Sequence, residues 1–396
     1  MDKCSTISFS GFHNFSPFYY FYIIQVKEKD REMKKYLYLL PAIILLSGCW
    51  DQNLLKDVQL VYTVGWDQNE DGSVTSTALA PPIDQTVEHV NRLTIEGNTL
   101  RDARYNMDVY VAEHIDFAKL QAGIVGIDMA RDKLYPFLDV LYRNPKNHLN
   151  ARIAMTNTSA AELLSSKIDS QRNQSEYFSG LLESSELTSV VPNISLQRAC
   201  TILFDPGTDL YLPYITYEKD MLRAKVSGIG LFSKQKYTDV YLNEDQSVIF
   251  NILNNETSTI VTLTKRITDG KEPEVSNWVS VNIEKSKTDI KIKENPFRAE
   301  ITLKADITIS EYGPDHLQSE KKLNEFKAFW EKELKKDIDE ILEITQEVES
   351  DVLGIGKRTA AFKPAYWDEE RWHDIYRDME ITSKVSVKMI GTGIID

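Results

Sequence analysis

Val58, Leu60, Tyr62, Val64 and Trp66 recur at every second position, and a period of two predicts a strand. The polar run Asp67 to Gly72 then leads to a second strand, Val74 to Ala80, so the two read as a hairpin. The period changes after Thr99. Leu100, Ala103, Met107 and Val111 fall at helical spacing, with Asp102 three residues after Thr99. A strand within Phe117 to Ile127, a helix from Ala130 to Tyr142 and a strand from Leu149 to Thr156 follow. Strands alternating with helices indicate an α/β layer. Ser159-Ala160-Ala161-Glu162 has the spacing of a capping box and opens a mostly helical stretch to Leu203. Asp205-Pro206-Gly207 stops it, and Leu210 to Tyr217 is extended.

Strands return at Val226 to Phe232, Ile260 to Thr264, Val279 to Ile283 and Ile290 to Ile292. From Ala299 to Ile309 apolar residues alternate for eleven positions, the pattern of a long half-buried strand. The strongest helical pattern follows, from about Ser319 to Val352, with Leu323, Phe326, Trp330, Leu334, Ile338, Ile341, Val348 and Val352 on one stripe. At 1.5 Å per residue it would span ~50 Å, and Gly354 and Gly356 are placed to end it. Its stripe is expected to pack on the neighbouring sheet rather than on a partner. A short helix, Trp367 to Tyr376, and a strand, Lys384 to Ile390, close the chain. The fold class is α+β, a mixed α/β protein in three domains: 49–158, 159–222 (mainly helical) and 223–396, the last carrying the long helix.

The first 48 residues stand outside this pattern. Lys34 and Lys35 precede an apolar run, Tyr36 to Leu46, and then Ser47-Gly48-Cys49. A positive start, a short apolar core and small residues at the cut define a secretory signal. The run is too short to span a bilayer comfortably, which takes ~20 residues. A cysteine at the cut resembles the lipobox of bacterial lipoproteins. It implies a covalent diacylglycerol and an N-acyl chain of the palmitate class on Cys49, which becomes the mature N-terminus. The signal peptide is then 33–48, with translation starting at Met33. Residues 1–32 read as a mis-called start, since Lys27 to Glu32 resemble a purine-rich ribosome-binding site read as protein. The other reading is a genuine extension carrying a second membrane-associating segment.

Charge and cysteine count narrow the function. Without residues 1–48 the chain has 348 residues (396 − 48) and a net charge of −16, from 40 basic and 56 acidic side chains. Such a protein is a poor nucleic-acid binder, because phosphate contacts need Lys and Arg. No segment after Cys49 is long and apolar enough to span a bilayer, so the lipid is the expected anchor. Cys200 then has no partner within the chain and reads as a buried small hydrophobe.

Candidate chemistry is sparse. Asp67-Gln68-Asn69-Glu70-Asp71-Gly72 matches the first half of a calcium-binding loop, but the twelfth position is Ala78 where a bidentate Glu is needed, so a hairpin turn is expected. His89, His114, His148, His316 and His373 lack metal-ligand spacing. There is no nucleophile elbow and no phosphate-binding loop. Gly228-x-Gly230 lacks the third glycine of a dinucleotide fingerprint and marks close backbone packing. Carboxylate pairs such as Glu369-Glu370 are plentiful, and none is singled out for glycoside chemistry. No catalytic, metal or cofactor-binding residue is assigned.

Several segments together resemble the Ger(x)C family, the lipoprotein C subunits of spore germinant receptors. They are Cys49-Trp50-Asp51 after the lipobox, Val64-Gly65-Trp66-Asp67, Ser227-Gly228-Ile229-Gly230-Leu231-Phe232, and Gln346 to Gly356 (QEVESDVLGIG) followed by Pro364, Trp367 and Trp372. The likeness covers residues 46–396. One departure stands out: Gln52 to Leu55 carry no Glu where the family often has one; a lesser one is the aromatic Trp66 where small or aliphatic residues are common. The resemblance implies a three-domain lipoprotein on the outer face of the spore inner membrane. It would assemble with a multi-spanning A-type and a transporter-like B-type subunit in a nutrient-sensing, non-enzymatic complex. Trp50, Asp51, Gly228, Gly230, Gln346, Asp351, Gly354, Gly356 and Trp372 are motif positions without an assigned role. The alternatives are a solute-binding lipoprotein of a transporter and a lipid-tethered cell-wall enzyme.

Overall fold

The alternating run from Val58 to Trp66 divides into two strands, β1 (Val58–Leu60) and β2 (Thr63–Gln68), in a computed structural model that describes residues 57–82, 90–143, 147–313 and 319–391. The division has a hydrogen-bonding cause. β1 pairs in parallel with β5 (His114–Asp116), whereas Tyr62 already donates to Leu79 and starts the pairing of β2 with β3 (Val74–Ala80).

Mixed pairing builds an eight-stranded sheet. Its centre is parallel: β2, β6 (Ala122–Val125), β7 (Arg152–Thr156) and β8 (Tyr211–Glu218). Its flanks are antiparallel, with β3 and β4 (Asn91–Gly97) on one side and β9 (Arg223–Ser233) and β10 (Lys236–Leu242) on the other. The expected domain boundaries at 158/159 and 222/223 both fall inside this sheet. The helices between β7 and β8 form a crossover connection, as parallel neighbours require.

Every residue of β3 is buried, because helices cover both faces of the sheet there. One face carries α1 (Leu100–Met107), capped by Thr99, and α3 (Tyr135–Arg143), which follows the short α2 (Ile127–Arg131). The expected single helix at 130–142 is thus two. The other face carries α4 (Ala160–Ser165), capped by Ser159, and α5 (Gln174–Leu187). α6 (Leu196–Leu203) leads into β8. Cys200 lies on α6 half-buried rather than buried, and burial still pushes its thiol up.

Gly228 sits at a bulge in β9, where Tyr214 faces Gly228 and Ile215 faces Val226. Its φ of +135° suits glycine alone, and a Cβ there would lie 1.9 Å from the Leu242 carbonyl oxygen. That contact brings in α7 (Glu244–Leu253), whose Asn243 and Gln246 form a reciprocal capping box.

The second sheet has four strands: β11 (Thr262–Arg266), β12 (Trp278–Lys293), β13 (Arg298–Tyr312) and β14 (Glu380–Gly391). The two segments expected at 279–283 and 290–292 are one sixteen-residue strand, interrupted in pattern by the polar stretch Glu284–Asp289. α8 (Glu320–Glu347) lays Phe326, Trp330, Leu334, Ile338 and Ile341 into the core against β14 and α7. It is shorter than expected, about 42 Å at 1.5 Å per residue.

Glycine does not end α8. Glu349 takes the left-handed conformation (φ 54°), Ser350 N donates back to the Thr345 carbonyl and Glu349 N to that of Gln346. This is the usual glycine stop built on a glutamate. Its side chain is held by Arg377 at 2.6 Å, and its carbonyl accepts from Ser233 Oγ. Gly354 (φ 63°) instead starts α9 (Ile355–Phe362), and the last helix, α10 (Trp372–Asp378), begins five residues later than expected.

Candidate functional site

Between α8 and α9 the chain enters a polar knot with no water-facing carboxylate. Asp351 is fully buried. Its Oδ1 accepts from Ile355 N (2.9 Å), and its Oδ2 accepts from Gly356 N (2.6 Å) and from Trp372 Nε1 (3.0 Å). The carboxylate thus caps α9 and fixes the indole of α10 at once. Burial pushes the Asp351 carboxyl up to about 7, with the charge of Asp209 adding to the rise, while the N–H donors of Gly356, Ile355 and Trp372 pull it down.

Asp209, in the turn before β8, clasps the same segment from the other side. Asp209 N donates to the Asp351 carbonyl at 3.0 Å, and Asp351 N donates to Asp209 Oδ2 at 2.8 Å. Asp209 Oδ1 also accepts from Lys234 N (3.1 Å) and lies 3.1 Å from His373 Nε2. Nearby, Lys357 N donates to the Gly207 carbonyl at 2.8 Å, and Ser350 Oγ donates to the Phe232 carbonyl at 2.5 Å.

The singled-out positions divide accordingly. Asp351, Gly354, Gly356 and Trp372 meet in the knot. Gln346 borders it, its Nε2 donating to the carbonyls of Tyr376 (2.9 Å) and Met379 (2.8 Å) and tying α8 to α10 and β14. Gly356 is there for space, since a Cβ would stand 2.5 Å from Trp372 Nε1. Gly228 and Gly230 lie apart, on β9. Cys49, Trp50 and Asp51 lie outside the described residues.

Asp209, Gly207 and His373 went unremarked in the sequence as members of this knot. Asp205-Pro206-Gly207 reads locally as a helix stop, and His373 reaches a partner 164 residues away. No local pattern carries that pairing.

The calcium-like segment performs a different task. Asp67 is buried, and its two oxygens accept from Ala160 N (2.6 Å) and Ala161 N (2.8 Å), capping α4 across the sheet. Asp71 instead accepts from Ser73 N and Oγ within the hairpin turn. The two carboxylates therefore point away from any common centre.

Comparison with known proteins decides what the knot belongs to. Residues 51–217 match a family profile described as the spore germination protein N-terminal domain, and residues 227–393 match one described as spore germination B3/GerAC like, C-terminal. The chain belongs to the Ger(x)C family of spore germination proteins.

It is 23% identical over 332 residues to the spore germination protein GerQC of Bacillus cereus, covering 82% of this chain and 89% of that one. It is 25% identical over 246 residues to YfkR of Bacillus subtilis (strain 168), covering 56% of this chain and 62% of the relative's length. It is 21% identical over 248 residues to the spore germination protein KC of Bacillus subtilis (strain 168), covering 53% and 59%. The crystal structure of the GerBC protein shares the fold, with a TM-score of 0.56 at 18% identity over 84% of this chain and 99% of that one. In this Ger(x)C protein the knot joins the two profile regions: Gly207 and Asp209 come from the first, and Asp351 to His373 from the second.

Proposed function

We propose that this chain is the lipid-anchored, non-enzymatic C subunit of a nutrient germinant receptor. It is assembled with A-type and B-type membrane subunits on the outer face of the spore inner membrane. The observation that carries the reading is the use made of the family's signature residues. The polar atoms of Asp351, Trp372 and Gln346 are engaged in internal hydrogen bonds that hold helices and sheets together. A catalytic carboxylate needs reach to a substrate, whereas this one is spent on capping. A scaffolding or signal-coupling part fits residues used in this way.

Anchorage rests on the lipobox. No helix among the described residues is long and apolar enough to cross a membrane, and the acidic chain has no basic stretch to hold it on anionic lipid. The diacylglycerol and N-acyl chain on Cys49 supply the attachment, since more than one chain gives stable binding.

The test is Cys49→Ala in an endospore-forming host, read by palmitate labelling, membrane fractionation and nutrient-triggered germination. Label is lost, the protein leaves the membrane fraction or stays uncleaved, and germination through this receptor falls. A cleaved, unlabelled protein that stays on the membrane shows that partner subunits hold it instead. Normal germination in a strain lacking parallel receptors would refute the subunit role.

A further inference from the structure

A cavity of about 260 Å³ lies between the first sheet and the helices α1, α3 and α6. Small-molecule sites run from ~300 to ~1000 Å³, so this one suits a small ligand. Its apolar lining comes from Trp66, Leu100, Phe117, Leu120 and Leu196, all buried. The indole of Trp66 forms one wall.

Of the charged residues in this lining, Arg104 lies against an aromatic face. Arg104 of α1 places its guanidinium 4.6 Å from the centre of the Phe117 ring. Among the described residues no carboxylate lies within ion-pair distance of it. Its hydrogen-bond partner is Asn147 Oδ1, at a long 3.4 Å. Burial pulls its pKa down, with Asp116 and Asp108 offsetting part of that. Both carboxylates are occupied elsewhere: Asp108 accepts from Ile115 N at 2.8 Å and faces His114 at 3.3 Å, and Asp116 accepts from Ala118 N at 2.8 Å. A guanidinium has five donors, and among the described residues most of this one's have no acceptor.

The charges lining the cavity are Arg101, Arg104 and Asp108, with His148 at the side. In this lining the two guanidinium groups outnumber the one carboxylate, and an anionic ligand complements them. We propose that this cavity binds a small apolar monocarboxylate, its carboxylate on Arg104 and its hydrocarbon body against Trp66, Phe117, Leu100 and Leu120. A bidentate guanidinium–carboxylate pair supplies orientation as well as affinity. This goes beyond the receptor reading and is independent of it, because it concerns the chain alone.

Full-length protein in detergent micelles is titrated with sodium 4-methylpentanoate and with phenylacetate, followed by saturation-transfer NMR with empty micelles as the blank. The neutral 4-methylpentanamide is the counterpart. At least one acid binds saturably below about 10 mM, and the amide binds at least about tenfold more weakly. Arg104→Gln weakens the acid at least about tenfold while the melting temperature stays near that of the wild type. Leu141→Trp, which fills the cavity from α3, abolishes binding and decides the matter alone if the Arg104 variant does not fold. No saturable binding of either acid, equal binding of acid and amide, or unchanged affinity in either folded variant overturns the proposal.

Discussion

Removing the Asp351 carboxylate measures what the knot contributes to stability. In Asp351→Ala, three buried donors lose their acceptor: Ile355 N, Gly356 N and Trp372 Nε1. Loss of a helix N-cap costs about 1–2 kcal/mol, and each buried donor left unsatisfied costs about 1–3 kcal/mol. A water entering the space vacated by the carboxylate can satisfy some of them. The sum is then on the order of 3–5 kcal/mol. At roughly 2 °C per kcal/mol for a chain of this size, the melting temperature falls by about 6–10 °C. The assay is thermal unfolding of the full-length protein in detergent, followed by near-ultraviolet circular dichroism. Trp372→Phe is the graded control. It keeps the buried ring and removes a single donor, so about 1 kcal/mol is lost. In the double variant Asp351→Ala/Trp372→Phe the losses are less than additive, because the indole N–H is no longer orphaned. A melting temperature within about 2 °C of wild type for Asp351→Ala, or full additivity in the double variant, would refute the account of the knot as a shared hydrogen-bonded centre.

Two further outcomes follow from the same geometry. Gly356→Ala drives a methyl into the indole of Trp372 and the ring of Trp367. It costs about 2–3 kcal/mol, read as a lower denaturation midpoint, and a neutral effect would show that the two indoles move apart freely. The pH dependence has a definite sign. The folded Asp351 carboxyl is raised from 3.8 to about 7, so its proton-linked stability is full below about 4 and lost as pH rises through about 7. Asp351→Ala lacks that titration. The wild type's advantage over it therefore narrows by on the order of 2–3 kcal/mol between pH 5 and pH 8, measured by urea unfolding, and an advantage that widens with pH would mean the N–H donors outweigh burial.

Much of the fold is legible where one physical constraint acts on a segment. β13 alternates because one of its faces is buried from Ala299 to Ile309, and α8 shows its stripe because it lies on a sheet. Legibility fails where two constraints compete. The centre of β12 is polar although the strand continues, because backbone pairing with β13 carries it through Lys285–Asp289. Propensity places the end of α8 at glycine, yet Glu349 occupies the left-handed position, held by contacts to Arg377 and Ser233. Such a residue costs roughly 1–2 kcal/mol locally and is retained only when tertiary contacts offset it. The knot is half legible for the same reason. Asp351, Gly354, Gly356 and Trp372 stand close together in the chain and form a recognisable string, whereas Asp209 joins them from 142 residues away.

The position of that long-range pair bears on how the two family regions are joined. They share the eight-stranded sheet, in which β8 of the first region pairs with β9 of the second. The reciprocal Asp209–Asp351 clasp, one bond to a backbone carbonyl and one to a carboxylate oxygen, with Lys357 N on the Gly207 carbonyl beside it, is an attachment distant in sequence from that pairing. Rotating one region against the other would break these bonds and expose the Asp351 carboxylate together with its three donors. Bonds at other separated places, among them Asn251 Nδ2 on the Ser189 carbonyl and Arg198 on Glu256, make that rotation far more costly than the clasp alone would. The hydrogen bonds of Asp351, Gly356 and Trp372 hold this junction without any demand that they touch a ligand.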